Sequence, residues 1–181
     1  LLARAGITFT VVTSGIDEVR LDGEAASMYA LRMAHEKALN VSTRRIGALV
    51  LAADTVVECG GEILEKPADA GDARRMLRLL SGNVHTVVTA FAIARGGAIV
   101  ESAPVMSHVR FRALDDREIA DYIKTGEPFD KAGAYGIQAA GASFIEEVEG
   151  SRDNVMGLPM REVTAALARH GIAPNGSAHR G

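Results

Sequence analysis

Apolar residues along this chain recur in two rhythms, one of period two and one near three and a half, and these divide it into strand-like and helix-like stretches. Residues 7–12 alternate as a strand does, and residues 24–39 place Leu31, Ala34, Ala38 and Leu39 along one helical face. Residues 48–53 form a short apolar run bounded by charge, the pattern of a strand buried on both faces. Gly60-Gly61 predicts a turn. Residues 69–80 predict a helix with Asp69 as N-cap, Met76, Leu77 and Leu80 facing inward, and Gly82 just past its end. Residues 84–94 and 99–111 read as strands joined by a hairpin at Gly96-Gly97.

Residues 115–125 predict a short helix whose Asp115 and Glu118 stand at capping-box spacing, with Gly126 ending it. A Gly-rich segment follows at 127–138, then a strand at 143–148 and a closing helix at 158–170 with Pro159 in its first turn. Leu1 to Ala5 followed by Gly6 has the form of a last helical turn and its terminating glycine. The expected fold is α/β, a mixed twisted sheet with flanking helices. Residues 1–172 are expected to form one domain, and residues 173–181 a flexible tail.

Composition narrows the function classes. A chain of 181 residues, 48% hydrophobic and 24% charged, can bury a substantial core. No stretch approaches the roughly 18 apolar residues a membrane helix needs. The single cysteine, Cys59, excludes an internal disulfide framework and suits a reducing compartment, so a cytoplasmic location is expected. A net charge of −3, no Trp and 4% aromatics argue against a nucleic-acid coat or a base-stacking platform.

Candidate chemistry gathers in four places. Asp54-Thr55 follows the run Leu49 to Ala53, where side chains leave a buried strand for a crevice; a carboxylate there can bind Mg²⁺ or Mn²⁺ or deprotonate a water, or merely cap the next turn. Three lysines, Lys37, Lys66 and Lys131, can hold an anion if they converge, and Pro67 restricts the backbone at Lys66. In the segment 126–138, Gly133 and Gly136 can bring backbone N–H groups to an anion, and Gln138 can pair with the imide edge of uracil or thymine. His85, at a strand start, is read as structural, and Ser151, Asn154 and Gly157 as shaping residues before the final helix. There is no Gly-x-x-x-x-Gly-Lys loop, no Gly-x-Gly-x-x-Gly fingerprint and no Gly-x-Ser-x-Gly elbow, and His35-Glu36 lacks the second histidine of a zinc-protease helix.

Taken together, Leu51-Ala52-Ala53-Asp54-Thr55-Val56-Val57, Glu65-Lys66-Pro67, the run from Leu80 to Thr89, and the run from Glu127 to Gln138 resemble the Maf family of nucleotide pyrophosphatases. Gly15-Ile16-Asp17-Glu18, Lys37-Ala38 and the stretch from Gly150 to Pro159 fit the same pattern in the same order. The resemblance implies a two-lobed α/β fold around a deep cleft, of the kind shared with inosine triphosphatases, and usually dimeric. It implies hydrolysis of a nucleoside triphosphate to the monophosphate and pyrophosphate with a divalent cation (Mg, Mn or Co). By the same resemblance Asp54 corresponds to the catalytic base and a metal position, Lys66 and Lys37 to phosphate-facing lysines, and Glu18 to an acidic cleft residue. Lys131 lies in the substrate loop, while Thr55 and Gln138 match positions tied to base selection. The Asp130-Lys131-Ala132-Gly133-Ala134-Tyr135-Gly136-Ile137-Gln138 form is similar to the dTTP/UTP-preferring branch rather than the 7-methyl-GTP branch.

Members of this family begin with a strand and a Ser-x-Arg-Arg-type loop at a helix N-terminus; by the resemblance Leu1 is expected to lie inside that helix, with the strand and the arginine loop missing, so weak triphosphate binding and reduced stability are expected. The resemblance leaves a competing expectation, a nucleotide-binding regulator of septum formation with little catalysis. A phosphomonoesterase is a third. In every case the expected partner is a nucleotide, with no nucleic acid and no membrane.

Overall fold

The structure, a computed structural model, describes residues 1–173; the expected tail lies outside the described residues except for Ala173. Five strands form one sheet: β1 (Leu49–Cys59), β2 (Glu62–Leu64), β3 (Val84–Arg95), β4 (Ala98–Phe111) and β5 (Ile145–Glu149), in the order β2-β1-β3-β4-β5. The helices are α1 (Ala26–Arg44), α2 (Ala70–Leu80), α3 (Asp116–Lys124), α4 (Arg152–Val155) and α5 (Met160–Arg169). The α/β class is the expected one. Every pairing among the described residues is antiparallel, in place of the mixed pairings expected; β1–β2 and β3–β4 are hairpins, while β1–β3 and β4–β5 are joined by longer connections that carry helices.

Side-chain alternation sorts the long strands onto two faces. On one face Val56, Val88, Ala90, Ala92 and Ala94 meet Ala26, Tyr29, Ala30, Met33, Ala34 and Ala38 of α1, and the alanines let the helix sit close to the sheet. On the other face Phe91 and Ile93, with Leu49, Leu51 and Ala53, pack on Val163, Ala166 and Leu167 of α5. Farther along that face, Val57, Val87, Val109 and Phe111 join Met76, Leu77 and Leu80 of α2 and Ile119 and Tyr122 of α3 in a further core. Cys59 belongs to this core, buried, with its thiol directed at the Leu79 carbonyl.

Several local signals that rested on caps and turns held. Asp69 accepts a hydrogen bond from the Asp72 N–H at 2.8 Å, as an N-cap should. Asp115 and Glu118 close a full capping box at the start of α3. Gly96 and Gly97 both adopt positive φ, 58° and 80°, the type I′ turn that matches hairpin twist. The Gly6 turn is a Schellman cap: the Ile7 N–H reaches Leu2 O and the Gly6 N–H reaches Ala3 O.

Three expectations fail. Residues 7–12 form no strand; the segment lies along β1, yet no sheet pairing joins the two. The strand expected to end near Ala53 runs on to Cys59, so Asp54 sits in its middle rather than at its carboxyl end. Nor is that run fully buried: α1 and α5 cover its two faces, but β2 pairs only with Val57 to Cys59 and leaves Leu49 to Val56 at the edge of the sheet. Boundaries also move: α1 begins at Ala26 and continues past Leu39 to Arg44, where Ser42 accepts the Gly97 N–H of the hairpin turn. Pro159 caps α5 instead of entering it, and β2 and α4 carried too few residues to register as periodicity.

Replacing Asp115 by Ala should remove the α3 capping box and cost about 1 kcal/mol of stability. Urea denaturation should show a lower midpoint at unchanged slope.

Candidate active site

The edge of β1 determines what a ligand can meet. Consecutive residues on a strand point to opposite faces, so Asp54 turns toward α1 and Thr55 toward the side of α4 and α5. Both open onto a single cavity of about 500 Å³, within the range of small-molecule sites. All seven residues singled out from the sequence line it: Glu18, Lys37, Asp54, Thr55, Lys66, Lys131 and Gln138.

On the α1 side the groups are charged. Lys37 stands in the inward stripe of α1, one turn from Met33 and one from Val41, so its stem is packed and its ammonium delivered to the cavity. That ammonium bridges two carboxylates, Asp54 Oδ1 at 2.6 Å and Glu18 Oε1 at 2.5 Å. Lys66 reaches the other Glu18 oxygen at a looser 3.4 Å, with its side chain 57% exposed. Tyr29 donates to Glu65 Oε1 at 2.8 Å beside them.

Burial and pairing compete in this cluster. Burial pushes the Asp54 carboxyl above the usual carboxylate range, and the Lys37 ammonium only partly offsets it. Glu18, more open to solvent and bonded to Lys37, is held below its ordinary value. Burial opposes the charge on Lys37, but its bonds to Asp54 and Glu18 outweigh that and raise its pKa. Five carboxylates (Glu18, Asp54, Glu65, Glu127, Asp130) face three lysines across the cavity, an unfavourable balance for a polyphosphate on its own. Among the described residues no three His, Cys, Asp or Glu side chains form a closed metal cage. Asp54 and Glu18, already sharing one cation between them, fit an ion of the Mg²⁺ kind that takes one or two carboxylates and completes its shell with substrate phosphates.

On the opposite side the uncharged Thr55 and Gln138 form a neutral face beside Glu127 and the Lys131–Asp130 pair, and the loop backbone is pinned. The Gly133 N–H donates to Glu65 O, and any side chain there would strike Val57 at 3.0 Å. The Gly136 N–H donates to the Tyr122 hydroxyl, which in turn donates to Glu127 Oε1, while Glu127 Oε2 accepts the Ala140 N–H. Tyr135 meets His85 Nε2 at 2.8 Å inside a cluster with Phe111, and burial lowers the His85 pKa to about 4, so the ring is neutral. The two glycine amides expected to face an anion are therefore already engaged. Their freedom serves close packing. Lys131 is held by Asp130 at 2.6 Å, whereas the exposed Gln138 amide has no partner among the described residues.

Tyr29, Tyr122 and Thr89 had no sequence signal of their own, whereas His85 and Asn154 are buried and bonded, as residues read as structural should be. Tyr29 and Glu65 frame the charged side, and Tyr122 and His85 anchor the loop from outside the cavity. Asn154, fully buried, donates to Val87 O and Ser107 Oγ while its own carbonyl accepts from Thr89. Only long-range packing brings these together.

The profile of the Maf-like protein family matches residues 1–170. A protein of Anaeromyxobacter dehalogenans named dTTP/UTP pyrophosphatase is 50% identical over 175 residues, covering 95% of this chain and 88% of its own. Proteins of the same name from Geotalea uraniireducens and Myxococcus xanthus are 48% and 49% identical, covering 94% and 95% of this chain and 89% and 87% of their own.

Replacing Lys37 by Met should leave Asp54 and Glu18 with no bridging ammonium. Asp54, already raised above its unfolded value, then rises further, so the variant should be closest to the parent in stability near pH 4 and fall behind as pH climbs through the folded-state value. A deficit of about 1–3 kcal/mol is expected in urea melts at pH 8, shrinking toward pH 4.

Proposed function

This chain belongs to the family of Maf-like proteins, and from that premise we propose that it is a hydrolase of nucleoside triphosphates, releasing pyrophosphate from dTTP and UTP. The reading rests on the names of relatives nearly half identical over almost the whole chain. The single structural observation that carries it is a buried carboxylate, Asp54, sharing the Lys37 ammonium with Glu18 in a cavity that also holds the uncharged Thr55 and Gln138. A triphosphate ester of a nucleoside offers an anionic end for the lysines and an uncharged base for Thr55 and Gln138.

In the proposed reaction Asp54 accepts a proton from a water whose oxygen attacks the α-phosphorus. The new P–O bond forms as the bond from that phosphorus to the α–β bridging oxygen breaks, and pyrophosphate leaves with that oxygen. Lys37 and Lys66 offset negative charge on the phosphates. Burial favours Asp54 for this task, because a carboxyl held above its ordinary value is a better base near neutral pH. A divalent cation held by Asp54 and Glu18 would supply Lewis-acid stabilisation of phosphate charge and compensate the acidic lining. The neutral face, with Thr55 and Gln138, receives the base.

Asp54→Asn should reduce pyrophosphate release from dTTP by about 10²–10⁴-fold while dTTP binding, measured by calorimetry, changes little. The parent rate should rise with pH through the Asp54 ionisation, since only the ionised form accepts a proton. Assaying phosphate and pyrophosphate separately decides the bond: phosphate alone from dTTP would mark a phosphomonoesterase, and undiminished turnover in Asp54→Asn would remove Asp54 from the chemistry.

A further inference from the structure

A chain of hydroxyl groups behind the neutral face has a direction set by its buried end. Thr55 on β1 and Thr89 on β3 are direct cross-strand partners, and their hydroxyl oxygens lie 2.9 Å apart. By itself that contact allows either oxygen to be the donor. Thr89, however, also lies 2.8 Å from the Asn154 carbonyl oxygen, which can only accept. A threonine hydroxyl has one proton, and Thr89 is fully buried, so that proton is committed to Asn154. Thr55 must therefore donate to Thr89, and what Thr55 presents to the cavity is a lone pair.

The far end of the relay is fixed. The Asn154 carbonyl also accepts the Gly157 N–H at 2.9 Å, and its side-chain amide is tied to Val87 O at 3.2 Å and Ser107 Oγ at 3.1 Å. Ser107 Oγ takes the Ser151 N–H at 3.0 Å, closing the turn around α4. The near end is clear, because Gly157 has no side chain, and a Cβ there would come within 3.4 Å of Thr55 Oγ1.

We infer that Thr89 is a specificity-determining positioning residue: through the Asn154 carbonyl it holds the Thr55 hydroxyl as an obligate acceptor, which selects nucleobases offering a ring N–H. The inference rests on the proposed function and deepens it. Thymine and uracil carry a proton on N3; cytosine carries a lone pair there, which would face the lone pair of Thr55. Gln138 cannot make this choice, because its unpartnered amide turns over to offer oxygen or nitrogen. An ordinary threonine could not either, since its hydroxyl rotates to suit the ligand. The buried relay is what removes that freedom.

The test compares the ratio of kcat/KM for dTTP over dCTP in the parent, Thr89→Val and Thr89→Ser, with calorimetric binding of both nucleotides to each and thermal melts as a folding check. Thr89→Val frees the Thr55 hydroxyl to rotate, so the ratio should fall about tenfold or more, with dCTP gaining relative to dTTP. Thr89→Ser restores the relay and should keep the parental ratio within about threefold. Equal losses for both nucleotides in Thr89→Val, or a ratio that fails to return in Thr89→Ser, would overturn the inference. If the parent binds dTTP over dCTP yet releases no pyrophosphate, the proposed reaction falls while the binding ratio in Thr89→Val still decides the role of Thr89. If the parent releases pyrophosphate from both nucleotides equally, the inference falls while the proposed reaction stands.

Discussion

A strand cannot send neighbouring side chains the same way, and the site depends on that constraint at Asp54 and Thr55. One carboxylate and one hydroxyl, adjacent in the chain, are forced onto opposite faces of the sheet. They meet a common cavity only because β1 is an edge strand at this point, where β2 stops short at Val57. A longer β2 would wall off the edge and separate them. Edge strands invite unwanted pairing, and a charged residue in mid-strand is one way proteins discourage it. Asp54 thus makes sense on the edge before any chemistry is considered.

The two faces are held by different means. On the α1 side the groups are charged and mutually compensating, with Lys37 keeping two carboxylates compatible at short range. On the other side backbone and hydroxyl groups are bonded in series to strands and helices, leaving little to rearrange. Tyr122, His85 and Thr89 are interior residues of helix or strand, which hold a geometry better than loop residues do. The unbonded partner in this arrangement is Gln138, whose exposed amide lines the cavity.

Much of this was legible from sequence where the cause was local. The capping box at Asp115 and the double glycine at 96–97 each act within a few residues, so spacing suffices to find them. The extent of β1 was not legible, because Asp54 and Glu58 interrupt an apolar run for reasons set by where the sheet ends. Residues 7–12 alternate correctly but join no strand of the sheet, and pattern cannot supply a place in it. At the site, the residue types with plain chemistry were found: Asp54, Glu18 and the lysines. Tyr29, Tyr122 and Thr89 were not, since a tyrosine or threonine in an apolar element looks like packing until its hydroxyl has a partner tens of residues away.

Cys59 carries a practical consequence. It is the chain's only thiol, 5% exposed, with burial holding its pKa above the ordinary value, so it is a poor nucleophile toward alkylating reagents. A fluorophore or spin label could therefore be attached through a cysteine introduced on an exposed loop without first removing the native one. Distances across the two faces of the sheet would then be open to spectroscopy in an otherwise unaltered molecule.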